Sequence, residues 1–134
     1  AVLATERAAS GMTKGSHGST YGGNPLGCAV GLAVLRTVST PEFLLDVSRK
    51  SGAFRQKLEG LVASHPDIFE AVRGSGLMLG LVCKAPNPEV LQAAYDQNLL
   101  VVPAAENTIR LLPALTISEE ELADAVDRLD RAAG

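Results

Sequence analysis

The chain has 134 residues, of which 46% are hydrophobic and 20% charged, an ordinary composition for one globular domain. Its formal net charge is −3, and lysines and arginines are scattered among acids, so the clustered basic face of a nucleic-acid-binding protein is missing. No apolar run approaches the roughly 18 residues of a membrane-spanning helix. We therefore expect neither nucleic acid nor a membrane as a partner.

The chain opens on an apolar run, residues 1–5, that reads as a strand and is followed by a helical turn over 6–10. There is no initiating Met and no polar leader, as though the chain were cut close to a core element. A trimmed boundary of a complete domain is the alternative. A polar, Gly-rich stretch then covers residues 11–23 without helical or strand periodicity. Such long connections in a compact domain are usually functional or disordered.

Two helix-start signals follow this stretch. Asn24-Pro25 places an N-cap residue before a proline at the first helical position, and Thr40-Pro41 repeats the pattern. Apolar residues at helical spacing continue behind each signal. The second pattern predicts a long amphipathic helix that runs to about Ser64, where His65-Pro66 ends it.

From Ile68 the pattern changes to that of a β-hairpin. Residues 68–73 and 77–83 read as its strands and 74–76 as its turn, and the second strand has the nearly unbroken apolar run of a buried strand. Asn87-Pro88 starts a further helix that ends near residue 98.

The remaining residues predict two short strands and a last helix. The strands cover 99–102 and 108–111, with a turn over 104–107, and Pro113 closes the second strand in a way consistent with a sheet edge. Ser118 and Glu121 have the spacing of a capping box that begins the last helix. The order α, α, β, β, α, β, β, α predicts a small α+β sandwich with helices over a sheet.

Cysteine and aromatic usage bear on the core and the compartment. Aromatic residues make up only 4% of the chain, so we expect an aliphatic core of Leu, Val and Ala. Cys28 and Cys83 have apolar neighbours and are typical of buried small side chains, with a disulfide as the open alternative. This usage favours a reducing, cytoplasmic location.

The stretch around Ser19 and Thr20 has the features of an anion site. Its glycines let backbone approach a ligand, its hydroxyls can donate to phosphate oxygens, and the helix that begins at Pro25 places a positive dipole end nearby. Composition alone still favours a long turn that leads into an N-cap. His17 has no carboxylate partner nearby in sequence, and no metal-ligand spacing is present.

Arg110 is the other candidate, because it stands alone in an apolar strand. A guanidinium can bind a carboxylate bidentately. The alternation of side chains along the strand favours instead a position that faces solvent.

Three ordered motifs resemble the class III (subgroup II) pyridoxal-phosphate aminotransferases, and most closely their acetylornithine branch. Residues 17–26, HGSTYGGNPL, are similar to the family's signature, and residues 72–80 to the hairpin of its C-terminal domain. Residues 108–117 resemble its substrate-arginine strand, and residues 1–7 the strand just past the cofactor lysine. The resemblance covers essentially the whole chain.

The resemblance implies a fold and roles for individual residues. Residues 1–24 would be the end of the large domain of a fold type I transferase with its phosphate-clamp loop, and 25–134 its C-terminal small domain. Thr20 would hold the phosphate of pyridoxal 5′-phosphate in the neighbouring subunit of a homodimer, and Ser19 would help to clamp it or touch the substrate. Arg110 would grip the substrate α-carboxylate. The reaction would transfer an amino group between N2-acetylornithine and 2-oxoglutarate, in arginine biosynthesis.

The resemblance also implies that the lysine carrying the cofactor, and the aspartate that pairs with its pyridine nitrogen, lie upstream of Ala1. None of the four lysines, at 14, 50, 57 and 84, matches the family's catalytic position. We therefore assign no catalytic residue within the chain and predict that it is inactive alone, with poor order over 11–23. A related ornithine, succinylornithine or 4-aminobutyrate aminotransferase, or a stand-alone binding module, remains the alternative.

Overall fold

The computed structural model describes residues 2–134, and contacts divide the chain into an N-terminal unit, 1–40, and a C-terminal unit, 41–134. The domain boundary after residue 24 that the resemblance implies stays a prediction. No single helix in the described part of the chain is long and apolar enough to cross a membrane, and one bent pair of consecutive helices meets that test only when taken together.

The N-terminal unit holds two helices, α1 (Glu6–Ala9) and α2 (Pro25–Val38). The predicted strand over 1–5 is wrong for residues 2–5, and Ala1 lies outside the described residues. An extended segment becomes a strand only by pairing, and no described strand pairs with residues 2–5. The hydroxyl of Thr5 instead accepts a hydrogen bond from the Ala8 N–H and caps α1.

Helix α2 begins as its sequence predicts. The side chain of Asn24 accepts a hydrogen bond from the Gly27 N–H at 2.8 Å, and Pro25 occupies the first turn. All described residues of this unit are exposed except Val38, which is half-buried. The expectation that Cys28 is buried is therefore wrong, because it lies on a helix that has no buried face within this unit.

The C-terminal unit has three helices over a four-stranded antiparallel sheet, which confirms the predicted α+β class and element order. Its elements are α3 (Pro41–Ser64), β1 (Phe69–Ser75), β2 (Met78–Cys83), α4 (Asn87–Asp96), β3 (Val102–Ala104), β4 (Thr108–Leu111) and α5 (Glu119–Ala133).

The strand order β1-β2-β4-β3 places β4 inside the sheet, between β2 and β3. The edge position predicted from Pro113 is therefore wrong. The proline follows the strand and takes no part in the ladder, so it does not prevent β4 from pairing on both sides.

Two strand boundaries also differ from those predicted. The hairpin turn lies at Gly76 and Leu77 instead of 74–76, because Gly74 pairs with Leu79 and Ser75 with Met78. Strand β3 covers Val102–Ala104 instead of the predicted 99–102, because Val102, Pro103 and Ala104 pair with β4, whereas residues 99–101 pair with no described strand.

One face of the sheet forms the core with the helices. Along it Leu79 pairs with Leu111 and Leu81 with Ile109, and all four are buried. The core is aliphatic as predicted, with two phenylalanines added, and Cys83 is buried there as a free thiol. Its helical members are Phe54, Leu58, Leu61, Val90, Ala94, Leu122 and Leu129.

Candidate functional site

A row of residues crosses the sheet on the face opposite the core. In β2, Gly80 pairs with Arg73 of β1 on one side and with Arg110 of β4 on the other. Directly opposed residues of an antiparallel sheet project to the same face. Two guanidinium side chains therefore flank one glycine.

The same residues line a cavity of about 320 Å³ within the C-terminal unit. It is lined by residues of β2 and β4, by Ala104 at the end of β3, and by Ala105 and Glu106 of the turn that follows. Its lining residues are Arg73, Gly74, Met78, Leu79, Gly80, Ala104, Ala105, Glu106, Thr108 and Arg110. A concave, mostly apolar site with a few charged groups suits a small ligand.

Glycine at position 80 is required by close packing in this cavity. A Cβ built there would lie 2.7 Å from Cγ2 of Thr108 and 3.8 Å from Cγ of Arg73. The missing side chain therefore leaves room for the Thr108 methyl group, whereas the distance to Arg73 is an ordinary van der Waals contact.

The two arginines differ in their partners. Arg73 donates through Nη1 to Oε2 of Glu106, and this guanidinium holds the pKa of the Glu106 carboxyl below its ordinary value, first by the hydrogen bond and then by charge attraction. The side chain of Arg110 has no hydrogen bond or ion pair among residues 2–134. Its side chain is exposed, as strand alternation predicts, but it faces the cavity. The cavity thus holds two cations and one anion, and its unpaired group is a cation that can receive a carboxylate.

The second predicted site, with Ser19 and Thr20, lies in the N-terminal unit. Local turns shape the stretch: the N–H of Gly22 donates to the Ser19 carbonyl and the N–H of Asn24 to the Tyr21 carbonyl, each at 3.3 Å. Both hydroxyls are exposed, and within the described residues neither they nor their own backbone N–H groups have an acceptor. These donors stand just before the capped start of α2, an arrangement that suits an anion.

Ser19 and Thr20 belong to the N-terminal unit and Arg110 to the C-terminal unit. Sequence reasoning missed Arg73 and Glu106 as parts of the cavity. A signal was present, because Arg73 is the one charged residue among residues 71–83, just as Arg110 is in its strand.

Lysines are absent from the lining of this cavity. Lys50 pairs with Asp46, and Lys84 donates from Nζ to the Pro66 carbonyl at 2.6 Å. Lys14 and Lys57 are exposed. No group of three or more His, Cys, Asp or Glu residues able to hold a metal ion occurs in residues 2–134.

Comparisons with known proteins agree on one family. The family model described as class-III aminotransferase matches residues 1–133. The chain is 68% identical to acetylornithine aminotransferase of Rhodobacter capsulatus over 133 residues, which are 99% of this chain and 34% of that protein. It is 38% identical to the mitochondrial acetylornithine aminotransferase of Saccharomyces cerevisiae, over 98% of this chain and 31% of that protein.

Solved structures give the same family and fold. The chain resembles acetylornithine aminotransferase from Elizabethkingia anophelis with a TM-score of 0.79 and 32% identity, over 97% of this chain and 35% of that one. It resembles ornithine aminotransferase from Plasmodium yoelii with a TM-score of 0.77 and 26% identity, over 91% of this chain and 33% of that one. The chain thus spans about a third of the length of these relatives.

Proposed function

Because the chain belongs to the class-III aminotransferase family, we propose that it is the C-terminal part of an acetylornithine aminotransferase. The full protein would transfer an amino group between N2-acetylornithine and 2-oxoglutarate. The observation that carries this proposal in the structure is the unpaired Arg110 guanidinium in a cavity within a chain 68% identical to such an enzyme. We place the enzyme in the cytoplasm, in arginine biosynthesis.

In this proposal Arg110 holds the α-carboxylate of the substrate. A guanidinium presents two parallel N–H donors to a carboxylate, which fixes orientation as well as position. Because its side chain has no partner among residues 2–134, no ion pair within this part of the protein has to break before the substrate binds. Orienting the substrate in this way brings its reacting carbon to one place relative to the cofactor.

Ser19 and Thr20 hold the cofactor phosphate. Their exposed hydroxyls and unpaired backbone N–H groups, before the start of α2, match what a phosphate dianion accepts. Pyridoxal phosphate, when bound, supplies the electron sink and carries the amino group. We propose that this phosphate belongs to the neighbouring subunit of a homodimer, so that the loop completes its partner's site.

The direct test is turnover by the full-length protein that contains this chain, with pyridoxal phosphate added. We expect transfer to 2-oxoglutarate to be most efficient from N2-acetylornithine, compared with ornithine, succinylornithine and 4-aminobutyrate.

Arg110→Gln should lower kcat/KM by about 10- to 150-fold, since a hydrogen bond to a charged group contributes about 1.5–3 kcal/mol. Arg131→Gln, which removes an exposed arginine outside the cavity, is the charge-matched control. If the wild-type protein transfers no amino group from any of these amines, the proposal is wrong.

A second experiment addresses the 134-residue chain alone. It is mixed with pyridoxal phosphate and reduced with borohydride, and adducts are located by mass spectrometry. We expect only slow, scattered labelling, because Lys14 and Lys57 are exposed and Lys50 and Lys84 are engaged with Asp46 and the Pro66 carbonyl. Stoichiometric labelling of one lysine would show that the chain has a cofactor site of its own and would support a stand-alone binding module.

A further inference from the structure

We propose that Asn107 is a positioning residue, which fixes the start of β4 to the end of β2 and so holds Arg110 on the cavity side of the sheet. This inference rests on the proposed function and deepens it. The hydrogen bonds of the Asn107 side chain all lie within the C-terminal unit and join segments that are distant in sequence.

The side chain of Asn107 joins the start of β4 to the connection between β2 and α4. Its amide nitrogen donates to the carbonyls of Cys83 and Ala85, at 2.6 and 2.9 Å. Its amide oxygen accepts from the backbone N–H of Asn87 at 2.8 Å. Two donated bonds and one accepted bond require a side-chain amide, and among side chains of this size only asparagine supplies one.

The backbone of Asn107 extends the ladder between β2 and β4 by one step. The N–H of Cys83 donates to the Asn107 carbonyl at 2.8 Å, next to the paired residues Val82 and Thr108. Asn107 has φ +50°, in the left-handed region that asparagine enters more readily than most residues. It is therefore the residue at which the chain leaves the turn and enters β4.

Asn87 closes the same turn from the other side. Its amide nitrogen donates to the carbonyls of Ala104 and Thr108, each at 3.3 Å, and so bridges the two ends of the turn. Helix α4 has Pro86 before it and no side-chain cap from that residue, so Asn107 receives an N–H that the first turn leaves unpaired. The two asparagines thus connect the turn, the start of α4 and the end of β2.

The position of Arg110 depends on this connection. Arg110 lies three residues beyond Asn107 and pairs with Gly80 of β2. Side chains alternate between the two faces of a sheet, so a shift of one residue in this pairing would turn Arg110 from the cavity to the core face. Strand β4 has only four residues, Thr108–Leu111, and so few ladder bonds of its own to oppose a shift. The hydrogen bonds of Asn107 supply a restraint where the strand begins.

The sharpest variant is Asn107→Asp, which keeps the size of the side chain and the acceptor for the Asn87 N–H. It removes both donors and directs a charged oxygen at the carbonyl oxygens of Cys83 and Ala85. Asn98→Asp is the matched control. Asn98 also has a positive φ, 56°, and is exposed, and its side chain makes no hydrogen bond among residues 2–134.

The test uses the full-length protein with its cofactor. Transfer from N2-acetylornithine to 2-oxoglutarate is measured for wild type, Asn107→Asp, Asn98→Asp, Arg110→Gln and the double variant Asn107→Asp/Arg110→Gln. Amide hydrogen exchange of β4 and α5 is followed by mass spectrometry for wild type and the two asparagine variants. Exchange reports the hold on β4 without reference to activity, and the double-mutant cycle reports whether Asn107 acts through Arg110.

Asn107→Asp should lower kcat/KM about fivefold or more, because a small misplacement of a substrate-orienting group is costly in rate. Asn98→Asp should stay within about twofold of wild type, as expected for a surface substitution. In the Arg110→Gln background, Asn107→Asp should lower kcat/KM by less than about twofold, since no guanidinium remains to be misplaced. Amide exchange of β4 should be about tenfold faster in Asn107→Asp, with that of α5 unchanged.

An equal loss of kcat/KM from Asn107→Asp in the wild-type and Arg110→Gln backgrounds would overturn the proposal, because Asn107 would then act elsewhere. Unchanged exchange of β4 in Asn107→Asp would overturn it as well. If that variant does not fold, Asn107→Gly replaces it, since glycine accepts the positive φ and adds no charge. Failure of the proposed function is seen separately: wild type would transfer no amino group, while β4 exchange would still respond to the substitution.

Discussion

Gly74 is the residue whose replacement the hairpin tolerates least. It has φ +112°, and a Cβ there would lie 2.2 Å from the carbonyl oxygen of Met78, a backbone atom that cannot rotate away. Its carbonyl also accepts a hydrogen bond from Nη2 of Arg55 at 2.6 Å. Position 74 therefore combines an unfavourable backbone conformation with a steric clash.

We predict that Gly74→Ala destabilises the C-terminal unit by about 3 kcal/mol or more, because the strand pair must separate locally. Gly76→Ala is the matched control: φ is also positive, +58°, but no atom lies within 4 Å of the new Cβ. Gly76→Ala should lower the free energy of unfolding by only about 1 kcal/mol. Urea unfolding measures the free energy of unfolding of both variants and so separates the steric clash from the backbone strain. Equal losses of stability in the two variants would contradict the steric explanation.

Gly80 gives a second prediction, at the candidate site itself. Gly80→Ala should destabilise by about 1–3 kcal/mol, because its Cβ would lie 2.7 Å from Cγ2 of Thr108, a stiff β-branched side chain. Thr108→Ser removes that methyl group, so the double variant should recover most of the loss. Denaturant unfolding of the two single variants and the double variant measures this coupling. Additive effects would show that the two side chains do not conflict.

Among the helices, α5 depends most visibly on its first turn. Ser118 accepts from the Glu121 N–H at 3.1 Å, and the Glu121 carboxylate accepts from the Ser118 N–H at 2.9 Å. This capping box satisfies two backbone donors that the helix itself leaves unpaired. It also fixes the start of the helix whose Leu122 and Leu129 enter the core.

We predict that Ser118→Ala costs about 1 kcal/mol and lowers the melting temperature by about 4–8 °C. Ser118→Thr should keep most of the stability, because its hydroxyl can accept the same hydrogen bond. Ser64→Ala, at the exposed end of α3, controls for loss of a serine hydroxyl without a cap. Thermal unfolding by circular dichroism is sufficient, and an unchanged melting temperature for Ser118→Ala would contradict the role of the cap.

Helix boundaries were predictable because their signals are local. Each of these signals acts through contacts within a few residues. The structure has the predicted starts of α2 at Pro25 and α3 at Pro41, the end of α3 at Ser64, and the start of α5 after Ser118. Strand positions depend on partners that are distant in sequence. The interior place of β4 and the turn at 76–77 therefore could not be read from the strands themselves.

The same distinction applies to the candidate site. The exposure of Arg110 followed from alternation along one strand, and its assigned role from a resemblance. The pairing of Arg73 with Glu106 joins residues 33 positions apart through the order of the sheet. No local pattern predicts which of two arginines in a cavity is already paired.

At the scale of the whole molecule, the two units differ in how much they bury. The C-terminal unit contains every buried residue that the structure describes, and most of them form one cluster between its sheet and helices. The N-terminal unit has exposed apolar side chains along α2, such as Leu26 and Leu35 at 74% and 59%. Its helices are stabilised by caps and local hydrogen bonds, without a core of their own.

We therefore predict that a protease of broad specificity cleaves the 134-residue chain first within residues 11–23. It should then degrade α2 and leave a resistant product that begins near Pro41. Segments with few buried contacts open with little cost in free energy, whereas a packed sheet opens only with global unfolding. Amide exchange should show the same order, with α2 exchanging much faster than β2 and β4. Leu58→Ala, which opens a cavity in the core, should speed cleavage of the C-terminal unit and leave the rate in 11–23 unchanged. Equal protection of α2 and β2 would mean that the N-terminal unit is stabilised by more than its local contacts.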